Sequence, residues 1–186
     1  MLEDVEAVER VIAGDREAFR HLVNRHQAAV CATVRALSSA RADWEDVAQD
    51  VFLAAFQHLA TFDASKGSFR TWLLAITRNQ FRNRIRRIGP TAVASVPDRH
   101  HVRTPAELAS EAEWFERLDA GLAALPDDQR LTFVLVELQG LTYQEAADIA
   151  ETTVGTVKSR LFRAKARLRE ILEPMRIEDE RATASR

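Results

Sequence analysis

The sequence predicts an all-α protein built as two small helical domains joined by a flexible linker. Apolar residues recur at intervals of three and four along most of the chain, and the strict apolar–polar alternation of a strand is absent. One stretch, residues 88–106, breaks that rhythm with three prolines and a glycine. Helix start and stop signals recur beyond it, with Pro126-Asp127 and Thr142-x-x-Glu145 as starts and Gly140 as a stop. A length of 186 residues accommodates two such units.

The elements follow in order. Ala18, Phe19, Leu22, Val23, His26, Val30, Val34 and Leu37 form one apolar stripe. Val47, Val51, Ala54, Ala55 and His58 form another, with Phe52, Phe56 and Leu59 beside it, so that helix is expected to be buried on two sides. Phe69, Trp72, Leu73, Ile76 and Ile85 give a third helix its packing face. Proline removes a backbone donor and disfavours helix before it, which makes 88–106 a linker. It would span roughly 60 Å fully extended and about 25 Å as a coil. Beyond it, Trp114, Phe115, Leu118, Leu122 and Leu125 mark one helix, and Leu131, Val134, Leu135 and Leu138 the next. The capping box at Thr142 and Glu145 opens another. The last is expected over about 154–172, ended by Pro174 and followed by a loose polar tail. Domains are therefore expected at 1–87 and 107–173, with a linker at 88–106 and a tail at 174–186.

Net charge is only −2, but the charges are segregated. Lys66 to Arg87 contains seven basic residues and no acid, and Gly155 to Arg169 contains six and no acid. Half of the 26 Lys and Arg therefore sit in two short stretches, a distribution that suits two contacts with a polyanion. A pair of solvated helix faces is the plainer alternative.

The second basic stretch has a definite layout. A capped helix, a short turn near 151–153 and a helix rich in Lys and Arg is the arrangement of a helix-turn-helix, whose second helix enters the DNA major groove. Val157, Leu161, Ala164 and Leu168 recur at helical spacing and should face inward, which turns Lys158, Ser159, Phe162 and Arg163 outward. Lys and Arg donate to guanine, Ser serves either role and Phe can touch a thymine methyl. Arg160, Arg167 and Arg169 suit phosphate.

In the first domain, Asp46, Gln49 and Asp50 fall at i, i+3 and i+4, forming one side of a helix. That side either docks on a basic partner or is simply solvated. Gly67 and Ser68 precede a helix start, where backbone amides can hold an anion, and Lys66 and Arg70 add positive charge. Arg78, Asn79, Arg82, Asn83 and Arg86 share a polar face; Asn reads adenine and Arg holds phosphate. Phe69 and Trp72 fit either the core or a base-stacking platform.

Three strings then carry a family resemblance. Leu125-Pro-Asp-Asp-Gln-Arg130, Leu141-Thr-Tyr-Gln-Glu-Ala-Ala147 and Val154-Gly-Thr-Val-Lys-Ser-Arg-Leu161 with Arg163-Ala-Lys-Ala-Arg-Leu168 resemble region 4 of extracytoplasmic-function sigma factors. Asp43-Trp-Glu-Asp-Val-Ala-Gln-Asp-Val-Phe52 resembles their region 2.2, and residues 62–87 their regions 2.3 and 2.4. The resemblance covers about 15–87 and 107–172. It implies that Asp46, Gln49 and Asp50 bind the beta-prime coiled coil of core RNA polymerase, and that region 4 touches the beta flap. It implies that the loop and helix of 66–87 engage the −10 promoter element, the loop capturing a flipped base, and that the last helix reads the −35 element. It also implies an anti-sigma factor as partner. Two positions depart from the family pattern: Ala146 stands where Ile is usual, and Glu151 where a turn glycine is usual. Glu151 then takes a less comfortable backbone shape, or the turn differs.

Other classes find little support. Cys31 is the single cysteine, so a disulfide framework is impossible and a cytoplasmic, reducing location fits. No run approaches the ~20 apolar residues that cross a bilayer, so no membrane insertion is expected. The acidic segment Met1–Arg10 does not read as a secretory signal. No phosphate loop, HExxH or nucleophile elbow is present, and His100-His101 lack further ligands, so neither enzyme, cofactor nor metal is expected. Two alternatives remain: a helix-turn-helix regulator that acts without polymerase, and an adaptor that binds proteins alone.

Overall fold

The computed structural model describes the backbone of residues 3–38, 44–88 and 117–184, and the side chains of 3–38, 44–83 and 117–172. The linker prolines, His100-His101, Trp114, Phe115 and the side chains of Ile85 and Arg86 lie outside those residues. Among the described residues every regular element is helical, as the sequence predicts.

The first unit contains α1 (Asp4–Ile12), α2 (Phe19–Leu37), α3 (Trp44–Gln57) and α4 (Phe69–Ile88). Its core joins Val8, Leu22, Val30, Val34, Val51 and Leu73 from all four helices. Phe69 is buried and meets Phe62 edge-on at 5.5 Å and Trp72 at 5.4 Å, so both aromatics of the ambiguous pair belong to the packing. Helix α1 is fastened through Asp4, which accepts from Arg25 at 2.5 Å and lies 2.9 Å from the ring nitrogen Nε2 of buried His26. Cys31 packs against this core, and burial first, then the Glu45 carboxylate, pushes its thiol pKa up.

The second unit contains α5 (described over 117–123), α6 (Asp127–Phe133), α7 (Tyr143–Ala150) and α8 (Val154–Ala184). Helix α6 runs on into a wide π turn, Val134–Leu138. Gly140, at φ 67°, stops it, and Gly140 and Leu141 N–H return to the carbonyls of Val136 and Leu135. Gly121 lets α5 approach α8: a Cβ there would stand 3.1 Å from Leu168 Cδ2. Leu122, Leu125, Ala164 and Leu168 close the core between them.

Two expectations are corrected. Helix α8 does not stop at Pro174 but continues to Ala184. A proline removes one backbone bond, yet its fixed φ is itself helical, and the Glu, Arg and Ala that follow are good helix formers. The second side of α3 is buried only in part: Leu59 is buried and Phe52 packs against the core, but Phe56 is 36% exposed, and His58 of the first stripe is exposed as well.

The two units are also docked on each other. Leu74 of α4 is buried within the cluster of Leu135, Leu141, Ala146, Ile149 and Val157, a contribution of about 1.5–3 kcal/mol for one such side chain. Arg130, buried in the second unit, donates to the carbonyls of Leu125 and Ala123 and, across the boundary at 2.8 Å, to Leu37. Arg35 of α2 reaches Asp119 of α5 at 3.2 Å.

Candidate nucleic-acid interfaces

In the helix-turn-helix both starts are capped. Thr142 Oγ1 accepts from Glu145 N–H while the Glu145 carboxylate accepts from Thr142 N–H at 2.9 Å, completing the predicted capping box. Those bonds, the Thr142 backbone N–H first and its hydroxyl second, hold the Glu145 carboxyl below its usual range. Thr153 Oγ1 accepts from Thr156 N–H at 3.2 Å and opens α8. Between them Glu151 takes a left-handed conformation, φ 51° and ψ 50°, the shape a turn glycine adopts without cost.

This geometry fixes the register of α8. Val157, Leu161, Ala164 and Leu168 are buried, and Lys158, Ser159, Phe162 and Arg163 are exposed. Phe162 is 76% exposed, an aromatic standing in water with no packing role to explain it. Lys158 Nζ rests 5.6 Å from the centre of the Tyr143 ring on α7, and Ser159 donates to the Thr156 carbonyl. Arg163 makes no bond among the described residues. Arg160 pairs with Asp128 of α6, and Arg167 with Glu170 at 3.1 Å.

On the first unit, Asp46, Gln49 and Asp50 are exposed along α3 and unbonded among the described residues. The exposed Leu53 and Phe56 extend that polar row into an apolar one. The loop before α4 is organised by Asp63, which accepts from Ser65 N–H and Ser65 Oγ and pairs with Lys66 at 3.3 Å. The Ser65 hydroxyl, chiefly, lowers the Asp63 pKa. Ser68 caps α4 by accepting from Thr71 N–H. A cavity of about 200 Å³ lies between this loop and α7, with Lys66, Ser68 and Trp72 on one side and Asp148 and Ile149 on the other.

The basic residues of α4 divide. Asn79, Arg82 and Asn83 are exposed, whereas Arg78 is buried. Arg70 donates to the Gln139 carbonyl at 2.7 Å and its side-chain oxygen at 2.8 Å. Arg78 and Arg82 both pair with Glu151, at 2.7 and 3.5 Å. Sequence patterning missed Gln139 and Glu151 as partners of α4; the unusual residue at the turn was the only visible sign.

Two basic helices, one in a four-helix unit and one in a helix-turn-helix, define a two-domain, all-helical DNA-binding protein. The sigma-70 region 2 family matches residues 22–90, and the sigma-70 region 4 family matches residues 115–168. The Escherichia coli K12 ECF RNA polymerase sigma-E factor is 33% identical over 94% of this chain and 96% of its own. The Haemophilus influenzae ECF RNA polymerase sigma-E factor is 32% identical over 94% and 97%. Among solved structures, CnrH in complex with the cytosolic domain of CnrY superposes with a TM-score of 0.68 at 29% identity, covering 90% of this chain and 96% of that one. Sigma factor RpoE in complex with the anti-sigma factor NepR, from Bartonella quintana, gives 0.65 at 28%, covering 83% and 96%. The chain belongs to the extracytoplasmic-function sigma factors of the sigma-70 family.

Proposed function

We propose that this protein binds core RNA polymerase and directs it to promoters carrying −10 and −35 elements, contributing recognition and no catalysis of its own. The observation that carries this reading is one chain bearing two exposed faces: Asp46, Gln49 and Asp50 on the region 2 fold, and Lys158, Ser159, Phe162 and Arg163 on the region 4 helix-turn-helix.

The α3 row, continued by Leu53 and Phe56, docks on the polymerase beta-prime coiled coil; the second domain meets the beta flap. Helix α8 enters the major groove at the −35 element. Its quartet touches base edges and phosphate, while Arg160 and Arg167 exchange their carboxylate partners for phosphates. Lys66, Ser68, Arg70, Arg78, Asn79, Arg82, Asn83 and Arg86 serve the −10 element, with the cavity beneath Ser68 and Trp72 suited to an extruded base. The domains fall at 1–87 and 107–173, and the 88–106 tether lets two weak contacts act jointly at high effective concentration. The relative solved with the anti-sigma factor NepR supports such a partner here as well. A cytoplasmic location follows from that function; among the described residues no helix is long and apolar enough to cross a membrane.

Run-off transcription with purified core polymerase on sheared genomic DNA, followed by sequencing of the transcript starts, tests the proposal. Discrete starts that depend on the added protein are expected. Random starts, or failure to co-purify with core enzyme, would sink it.

A further inference from the structure

Tyr143 of α7 stands 41% exposed in the helix-turn-helix, so its ring does not fill the core. It lies outside the recognition helix, yet the Lys158 ammonium of α8 stands 5.6 Å from its centre. That is within the roughly 6 Å over which a ring face attracts a cation. Both backbones are fixed. Tyr143 is the first residue of α7, directly after the Thr142 cap and its reciprocal bond with Glu145. Ala146, one turn further on, and Val157, next to Lys158, are buried in one apolar cluster, which sets α7 against α8.

The other cations along α8 are held differently. Arg160, Lys165 and Arg167 each meet a carboxylate, on Asp128, Glu137 and Glu170. Among the described residues Lys158 has no acidic partner, and the Tyr143 ring is its one contact. The difference matters for DNA. A carboxylate competes with DNA for the ammonium and must be displaced. A ring face takes one side of the ammonium and leaves its charge and remaining N–H donors available. Lysine also needs such a support more than arginine does. Its ammonium is a point charge on a flexible four-carbon stem, without the planar fork that gives arginine its own geometry. Unheld, it reaches several phosphates and base edges and discriminates little between base pairs.

We propose that Tyr143 is a positioning residue for promoter discrimination: its ring holds the Lys158 ammonium in one place, so that Lys158 donates to the edge of a particular base, such as guanine O6 or N7, instead of sweeping across phosphates. The proposal rests on the reading of α8 as the −35 helix and adds to it a residue from the helix before. Tyr143 then governs how sharply one or two base pairs are read, and contributes little to overall affinity.

The test uses holoenzyme assembled from core polymerase and the full chain, on a promoter whose start the run-off experiment has located. Affinity is measured for that promoter and for a set in which each −35 base pair is replaced in turn. Tyr143→Phe keeps the ring and removes the hydroxyl. Tyr143→Leu removes the ring and keeps a good helix former, and Tyr143→Gln repeats that loss with a polar side chain. Lys158→Ala and the double variant Tyr143→Leu/Lys158→Ala complete the comparison. Unfolding midpoints establish that each variant is folded.

Tyr143→Leu and Tyr143→Gln should lower discrimination about two- to fivefold, the worth of an exposed cation–π contact. The loss should fall at the same base pairs that Lys158→Ala affects, with affinity averaged over the set changing less than about twofold. Tyr143→Phe should keep the parental preference, and Tyr143→Leu should add nothing once Lys158 is gone. Equal losses in Tyr143→Phe and Tyr143→Leu would make the hydroxyl the working group and overturn the proposal. A uniform loss of affinity across the set, or a Tyr143→Leu effect undiminished in the Lys158→Ala background, would overturn it too. Unchanged discrimination in the ringless variants, beside a loss in Lys158→Ala, rejects the positioning role alone. Unchanged discrimination in Lys158→Ala as well rejects the assigned face of α8, and a run-off assay without discrete starts rejects the function itself.

Discussion

Arg78 and Glu151 form a two-pronged ion pair: Nη1 lies 2.7 Å from Oε1, and Nη2 3.2 Å from Oε2. The two residues come from different domains, and their exposures are unequal, 9% for the Arg78 side chain against 66% for Glu151. Among the described residues, Arg78 Nε has no hydrogen-bond partner. A guanidinium buried this far needs its charge answered, so the pair fixes where the turn of the helix-turn-helix sits against α4 more than it adds net stability. The hydrogen bonds from Arg78 first, and its charge next, hold the Glu151 carboxyl below its ordinary range.

Lys158→Ala and Arg163→Ala should each weaken initiation at a −35-dependent promoter. Both side chains are exposed and their only contact within the described protein is that of Lys158 with the Tyr143 ring, so the loss belongs mainly to DNA contact. A good base contact is worth about 1–3 kcal/mol, roughly five- to 150-fold in promoter preference. The check is run-off yield at promoters with and without the −35 element, with core polymerase binding measured alongside. Unchanged preference would reject the assigned face of α8.

Replacing Asp46 and Asp50 together by Ala should lower affinity for core polymerase by about tenfold, some 1.4 kcal/mol. Neither residue bonds to the rest of the described protein, so thermal unfolding should move by less than about 0.5 kcal/mol. Titration of the variant against labelled core enzyme decides the matter. Parental affinity would mean that the row on α3 is only a solvated face.

Helical periodicity revealed the faces but not which faces meet. Val157, Leu161, Ala164 and Leu168 were legible because one stripe on one helix specifies its own inward side. The capping box was legible because it is a four-residue contact. Helix α1 was missed because Met1–Arg10 drew attention by charge, although Val5, Val8 and Ile12 stand at helical spacing. Docking of the domains was not legible. Leu74 lies beside the Phe69–Leu73–Ile76 stripe rather than in it, and its partners are sixty and more residues away. Arg78 looked like surface for the same reason: a polar helical face gives no sign that another domain will cover it. Glu151 showed only that the turn is unusual: a glutamate where a turn glycine is usual implied a less comfortable backbone, not a partner on α4.

Leu135→Ala should destabilise the protein by about 2–5 kcal/mol. Leu135 is fully buried between α7, α8 and Leu74 of α4, at a place where the second domain's core and the domain contact coincide. Urea unfolding followed by circular dichroism gives the value. A loss below 1 kcal/mol would show that the cluster is looser than its packing implies.

The capping box gives the second domain an acid limit of its own. Glu145 is ionised more easily in the fold than in the unfolded chain, because Thr142 N–H and Oγ–H donate to its carboxylate. A carboxyl whose pKa is lowered by folding stabilises the fold fully above its ordinary value near 4.5, and that contribution disappears as pH falls through the lowered value. Glu145→Gln should therefore flatten the acid limb of stability below about pH 5 while costing little charge-independent capping. Thr142→Ala removes the cap and the hydroxyl donor but keeps the backbone N–H that donates to Glu145, at about 0.5–2 kcal/mol near neutral pH. Unfolding midpoints of the three proteins between pH 3 and pH 7 test this. If parent and Glu145→Gln lose stability in parallel over that range, the carboxylate at the start of α7 is not what acid attacks.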